Sequence, residues 1–257
     1  MTLVFLLPQT IKDNYFILDL TNPSYHTMFL SNYVHSNFDH FFENIAMYYV
    51  AIILIFNFAT KQTSHMFSGW IFTISIFAIL PFLLSIVTLE YINIPISSQG
   101  FSGIVAAFIG YIIYTMYNFL KTNYDENINP NFICLILMIN VLLTLPNLDS
   151  APEVYLIICL IIAVLLYMQK NSIVKFITSA KKENKQKSRK QLSLPAQFYL
   201  IISYSFLILS LFLLPSLIPK NVFNDHMITN TMAHYTGYVF GIFIPLIIEH
   251  STNLKQN

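Results

Sequence analysis

Long apolar runs separated by short polar stretches set the pattern of this chain. A membrane-spanning helix needs about 20 predominantly apolar residues, and seven segments reach or approach that length: about 38–59, 69–90, 101–120, 131–147, 152–169, 197–218 and 230–249. Residues 9–34, QTIKDNYFILDLTNPSYHTMFLSNYV, mix the two kinds of position and are interrupted by Asn22-Pro23, so they read as an interfacial loop with short amphipathic pieces. The opening MTLVFLLP is apolar over too few residues to span and lacks the basic start and small-residue cleavage site of a signal peptide. It reads as the tail of a missing helix. The pattern predicts one all-α, polytopic membrane domain over residues 1–257, with a stub and loop at 1–34 and a basic cytoplasmic loop at 170–195.

Composition agrees with the pattern. Hydrophobic residues make up 56% of the chain and charged ones 10%, against roughly 25% charged in soluble domains. The net charge of +1 gives no sign of a nucleic-acid partner. Its distribution is more informative. With alternating helices, eleven of the thirteen Lys and Arg residues fall on one side: Lys61, Lys121, Lys255 and the eight from Lys170 to Lys190. That side is therefore cytoplasmic. The Lys170–Lys190 cluster reads first as a solvated topology anchor. Its second reading is contact with anionic lipid head groups, where each basic residue contributes about 1 kcal/mol. Cys134 and Cys159 lie inside apolar runs and form neither a disulfide framework nor a CxxC pair.

Five of the six glycines, Gly100, Gly103, Gly110, Gly237 and Gly241, fall in two segments, SSQGFSGIVAAFIGYIIY and MAHYTGYVFG. Glycine weakens a helix, so this confinement predicts two helices that approach closely. Ser102 stands at the start of one and His234 near the start of the other. In the first span, Ser36 and Asp39 have the form of a capping start, which puts His40 in the opening turns and Asn44 one turn deeper on the same face. By the charge distribution all three helices begin on the non-cytoplasmic side, so His40, Ser102 and His234 lie at similar depth.

This set suffices for acyl transfer. A neutral imidazole can take the proton of a serine hydroxyl, and the Ser102 N–H with the side chains of His40 and Asn44 can face the resulting oxyanion. No carboxylate neighbours His234 in sequence, which favours a Ser-His dyad over a triad. Asp39, His40 and Glu43 cluster without an HExxH pattern, and capping accounts for Asp39. No metal or organic cofactor is expected.

The residues that carry this chemistry resemble those of the rhomboid intramembrane serine proteases. The matching motifs are His35-x4-His40-x3-Asn44, Gly100-Phe101-Ser102-Gly103 followed by Gly110, and His234-x2-Gly237-x3-Gly241. They occur in the family's order, over roughly residues 15–120 and 197–249. The resemblance implies a rhomboid-like helical bundle with Ser102 as nucleophile, His234 as general base, His40 and Asn44 on the oxyanion side, and His35 as a supporting residue. It also implies that the substrates are proteins with transmembrane helices, cut in or near the membrane at small residues, and that the enzyme is a multi-pass protein of the cell membrane. The chain departs from the family pattern in lacking its first helix and the Trp-Arg pair of its first loop, since the sole Trp is Trp70 and the sole Arg is Arg189. Ala106 stands where some members place an aromatic, and three predicted spans instead of one separate the serine and histidine helices. Two competing functions were weighed. One is a catalytically inactive relative that binds transmembrane helices; the other is a transporter, for which repeats or buried charge pairs would be expected.

Overall fold

The structure, a computed structural model, describes residues 2–35, 37–59, 66–92, 97–123, 128–147, 151–189, 205, 208–209, 211–217, 223–224, 227–228 and 230–254. Ser36, Lys61, Lys190, Lys220, Lys255 and most of the predicted span 197–218 lie outside these residues. The chain begins with short helices α1 (Thr2–Phe5), α2 (Gln9–Tyr15) and α3 (Tyr25–Leu30), with the two-residue strand β1 (Leu18–Asp19) between the last two and a 3-10 turn, Ser31–Tyr33, after them. Then come α4 (Phe38–Ala59), α5 (Met66–Ala78), α6 (Leu80–Tyr91), β2 (Ser97–Ser98), α7 (Ser102–Asn123), α8 (Asn131–Thr144), α9 (Pro152–Arg189), the hairpin β3 (Phe223–Asn224) and β4 (Met227–Ile228), and α10 (Thr231–Leu254).

Among the described residues four helices are long and apolar enough to cross a membrane: Phe38–Phe58, Ser102–Thr122, Pro152–Val174 and Thr231–Ser251. They fall on the predicted spans 38–59, 101–120, 152–169 and 230–249. The predicted span 69–90 is instead two helices, Gly69–Ala78 and Leu80–Tyr91, bent by 43°. The predicted span 131–147 is α-helical to Thr144, a rise of about 21 Å that is short of a bilayer core, and ends in a 3-10 turn, Leu145–Asn147. The described residues are thus all-α with four such helices, or five if the bent pair counts as one. Where a basic loop was expected at 170–195, α9 continues without a break to Arg189. Residues 170–189 hold no Gly or Pro and are rich in Lys, a good helix former. A helix already nucleated by its apolar half therefore propagates into the polar half.

Packing divides the chain into two compact units. One comprises Phe56–Gln62 and Ile112–Asn221. There α8 lies along α9, Phe58 packs on Phe119 at 5.6 Å between ring centroids, and Gln169 Nε2 donates to Asn129 Oδ1 at 2.6 Å. The other unit comprises Met1–Ile55, Thr63–Tyr111 and Val222–Asn257, and it contains every residue singled out above for chemistry.

The bend in that second unit has a local cause. Pro81 has no N–H, so the Phe77 carbonyl one turn earlier loses its helical donor. The Tyr33 hydroxyl replaces it, donating to Phe77 O at 2.7 Å. Next to it, the Asn32 Nδ2 group faces Met28 O, Pro81 O and Ser85 Oγ at 2.9, 3.1 and 3.2 Å. The polar 3-10 turn therefore docks on the break and supplies what the proline removed. β1 pairs antiparallel with β2, Leu18 opposite Ser98, and ties the same N-terminal segment to the approach of α7.

α7 and α10 touch backbone to backbone. A methyl group built on Gly237 would run into the Gly103 carbonyl, one on Gly241 into the Ala107 carbonyl, and one on Gly110 into the Tyr238 carbonyl. Between these contacts Ile104, Val105, Ala106, Ala107 and Ile109 are fully buried. Gly69 in α5 is a built-in contrast, because a Cβ there meets only the Tyr111 hydroxyl, 4.0 Å away. Gly241→Ala is expected to cost roughly 3 kcal/mol, the top of the usual range for an overpacked core. Gly69→Ala is expected to be neutral or stabilising by up to about 1 kcal/mol through helix propensity. Thermal unfolding in detergent distinguishes the two, and equal midpoints for both variants would contradict the close approach.

Candidate active site

Ser102 is the first residue of α7, and its position follows from Gly100. Gly100 has φ +144°, a conformation that residues with a Cβ rarely adopt, and its N–H donates to Ser31 O at 3.0 Å. The chain then turns into the helix, with Phe101 O accepting from the N–H groups of Ile104 and Val105, both at 3.0 Å. The N–H groups of Ser102 and Gly103 belong to the first helical turn, so they have no intrahelical acceptor, and the helix dipole makes this end attractive to negative charge.

His234 is placed in the same way on α10. Asn230 caps the helix, its Oδ1 accepting from Ala233 N at 3.0 Å, and His234 N donates to Asn230 O at 3.3 Å. The close approach of the two helices then brings His234 Nε2 to 2.7 Å from Ser102 Oγ. With the neutral ring protonated on Nδ1, the serine hydroxyl donates and Nε2 accepts. That is the arrangement a base needs to draw off the hydroxyl proton. His234 is buried and Ser102 half-buried.

The α4 residues are held differently from one another. The start of α4 is capped by Asn37, whose Oδ1 accepts from His40 N at 2.8 Å; the predicted cap, Ser36, lies outside the described residues. A Cβ on Gly100 would stand 3.2 Å from His40 Cε1 and 3.8 Å from both His40 Nε2 and Ser102 Oγ. The imidazole and the hydroxyl thus border the same small volume. Asn44 lies one turn along, buried, with Nδ2 donating to its own helix at His40 O, 2.7 Å away. It makes no hydrogen bond to Ser102, and its enclosed Oδ1 has no partner among the described residues. The Asn44 amide fastens the backbone that carries His40.

His35 is buried, with its ring edge-on to those of His40 and Phe41, each at 5.3 Å between centroids. Neither ring nitrogen has a hydrogen-bond partner among the described residues. Burial, with His40 adding to it, pushes the His35 imidazole down to about 3, so the ring is neutral at physiological pH. Gly103 and Gly237 mark the contact between α7 and α10 and Gly241 extends it, while Gly100 sets the turn. Among the described residues no group of three His, Cys, Asp or Glu side chains gathers as metal ligands would.

Sequence reasoning missed the support beneath these groups: Ser31, Asn32 and Tyr33 in the turn, and Leu84, Ser85 and Thr88 on α6. Pro81 inside an apolar run was the available signal, since a proline there frees a carbonyl that some other donor must satisfy. Gln99, just before the turn, has a buried Oε1 with no partner among the described residues. The chain matches no family model, no curated protein and no solved structure.

The buried neutral His35 has a consequence in acid. In the unfolded chain it takes a proton near 6.5, whereas in the folded protein it resists protonation until about 3. Its contribution to stability is therefore complete above pH 6.5 and is lost as pH falls toward 3, by up to about 1.4 kcal/mol per pH unit. The unfolding midpoint is expected to fall between pH 7.5 and 5, and to fall less in His35→Phe. Equal falls in the two proteins would exclude this origin.

Proposed function

We propose that this chain is a rhomboid-type intramembrane serine endopeptidase that hydrolyses peptide bonds in or near transmembrane segments of other proteins. One observation carries the reading: Ser102 Oγ and His234 Nε2 stand 2.7 Å apart at the starts of two apolar helices. His234 takes the hydroxyl proton as Ser102 Oγ attacks the scissile carbonyl carbon. The oxyanion that forms faces the Ser102 N–H and the His40 ring. The imidazolium then gives its proton to the leaving amine, which departs and leaves an acyl group on Ser102. In the second half His234 deprotonates a water, which attacks the acyl carbon and frees Ser102. General base catalysis of this kind contributes about 10²–10⁴-fold, and each oxyanion donor about 10²–10³-fold.

The placing of basic residues supports the orientation. Lys121 stands in the last turn of α7, at the end of that helix opposite Ser102. Under the positive-inside rule the site opens near the non-cytoplasmic face of a cell membrane. A second reading, a helix-binding protein that does not cut, is favoured by Asn44, whose amide is engaged along its own helix and leaves one donor fewer for the oxyanion.

Labelling of the detergent-purified protein with a fluorophosphonate decides between them. In the protease, wild type is labelled, Ser102→Ala is not, and His234→Ala labels about 10²–10⁴-fold more slowly. Cleavage of a transmembrane substrate is lost in parallel. Labelling of Ser102→Ala at the wild-type rate, or none of a well-folded wild type, would overturn the reading.

A further inference from the structure

The bent helix below the site presents a single face to the Ser31–Tyr33 turn, to α7 and to the start of α10. Pro81, Leu84, Ser85 and Thr88 of α6 are all buried, and their spacing of i, i+3, i+4 and i+7 puts them in one stripe. Together they meet three different parts. Pro81 O and Ser85 Oγ receive Asn32 from the turn whose Ser31 carbonyl holds Gly100 N. The Leu84 side chain closes on α7, where a Cβ on Gly103 would stand 2.7 Å from Leu84 Cδ1. Thr88 Oγ1 accepts from Asn230 Nδ2, the same side chain that caps the histidine helix through its Oδ1.

Thr88 Oγ1 donates to Leu84 O at 2.7 Å within its own helix, so its lone pairs point outward with a fixed orientation. Asn230 then spans the gap, with its oxygen on the first turn of α10 and its nitrogen on α6. α10 has backbone contact with α7 at Gly237 and Gly241, one and two turns beyond His234. The Asn230 amide adds a polar tie at the end where the imidazole sits.

We propose that Thr88, through Asn230, is a positioning residue that sets the depth and rotation of α10 so that His234 Nε2 meets Ser102 Oγ. The proposal rests on the protease reading. Thr88 touches neither the nucleophile nor the base. Its effect is on how often the dyad is in reactive geometry, and displacement of a catalytic group by about 1 Å can cost 10²-fold.

The test follows the rate of fluorophosphonate labelling and the thermal midpoint of the same samples. Thr88→Val keeps the shape and removes the acceptor. It is expected to lower the maximal rate of labelling at least about tenfold, with probe affinity unchanged. Thr88→Ser, which restores the hydroxyl, is expected to label within about threefold of wild type on the same scale. Asn230→Ser still caps the helix but is too short to reach α6, so it should label as slowly as Thr88→Val, and the double variant no more slowly than either. If Thr88→Val lowers the midpoint as well, the Asn230→Ser comparison and the non-additivity still decide the matter. Wild-type rates in folded Thr88→Val and Asn230→Ser, with labelling still dependent on Ser102 and His234, would overturn the positioning role and leave the protease standing. Absence of labelling in wild type would overturn both.

Discussion

Backbone contact between α7 and α10 is the constraint on which the rest of the unit depends. Apolar side chains give two helices in a lipid-like surrounding little reason to associate, because lipid is as apolar as they are. What holds them is shape. With glycine at 110, 237 and 241, carbonyl oxygens of each helix rest where a Cβ would otherwise stand, and many weak dispersion contacts add up over the shortened distance. Since Ser102 and His234 each sit near the start of one of these helices, their separation is set by packing and does not rely on a flexible loop. A hydroxyl and an imidazole at bonding distance then need no large side-chain reorganisation to exchange a proton.

The second requirement is polar. A bent helix in an apolar setting exposes a carbonyl that water cannot reach, and leaving it unpaired costs several kcal/mol. The Tyr33 hydroxyl and Asn32 amide meet that need at Phe77 and Pro81, and in doing so they bring the turn at Ser31 against Gly100. Repair of a broken helix and alignment of the serine are thus parts of one hydrogen-bonded assembly.

Much of this was legible in the sequence, for reasons of differing strength. Glycines confined to two segments could be read as close approach because nothing else in an apolar helix gains from them, and four predicted spans coincide with uninterrupted helices. The break at residue 79 was not legible, since proline within a long apolar run is also compatible with a continuous kinked span. What makes it a break is partnered by Tyr33, 44 residues earlier, a tertiary fact. At the start of α4 the observed side-chain cap is Asn37, a competent cap next to Ser36, and helix ends are uncertain at that scale. Asn44 was given the oxyanion because it shares a helix face with His40. A face does not fix a rotamer, and the nearest acceptor was its own helix. The extension of α9 was missed because a run of lysines looks like solvated loop, although lysine is a good helix former.

That extension gives the chain a mechanical property. α9 is one helix of 38 residues, and its stretch beyond Val174 rises about 22 Å further along the axis. A stiff rod anchored in a bilayer converts rotation into displacement, so a change in tilt of about 10° swings its far end sideways through about 4 Å relative to Val174. Any change in bilayer thickness that alters the tilt of the apolar half is therefore magnified at its charged tip, and a pull on the tip is returned as torque within the membrane.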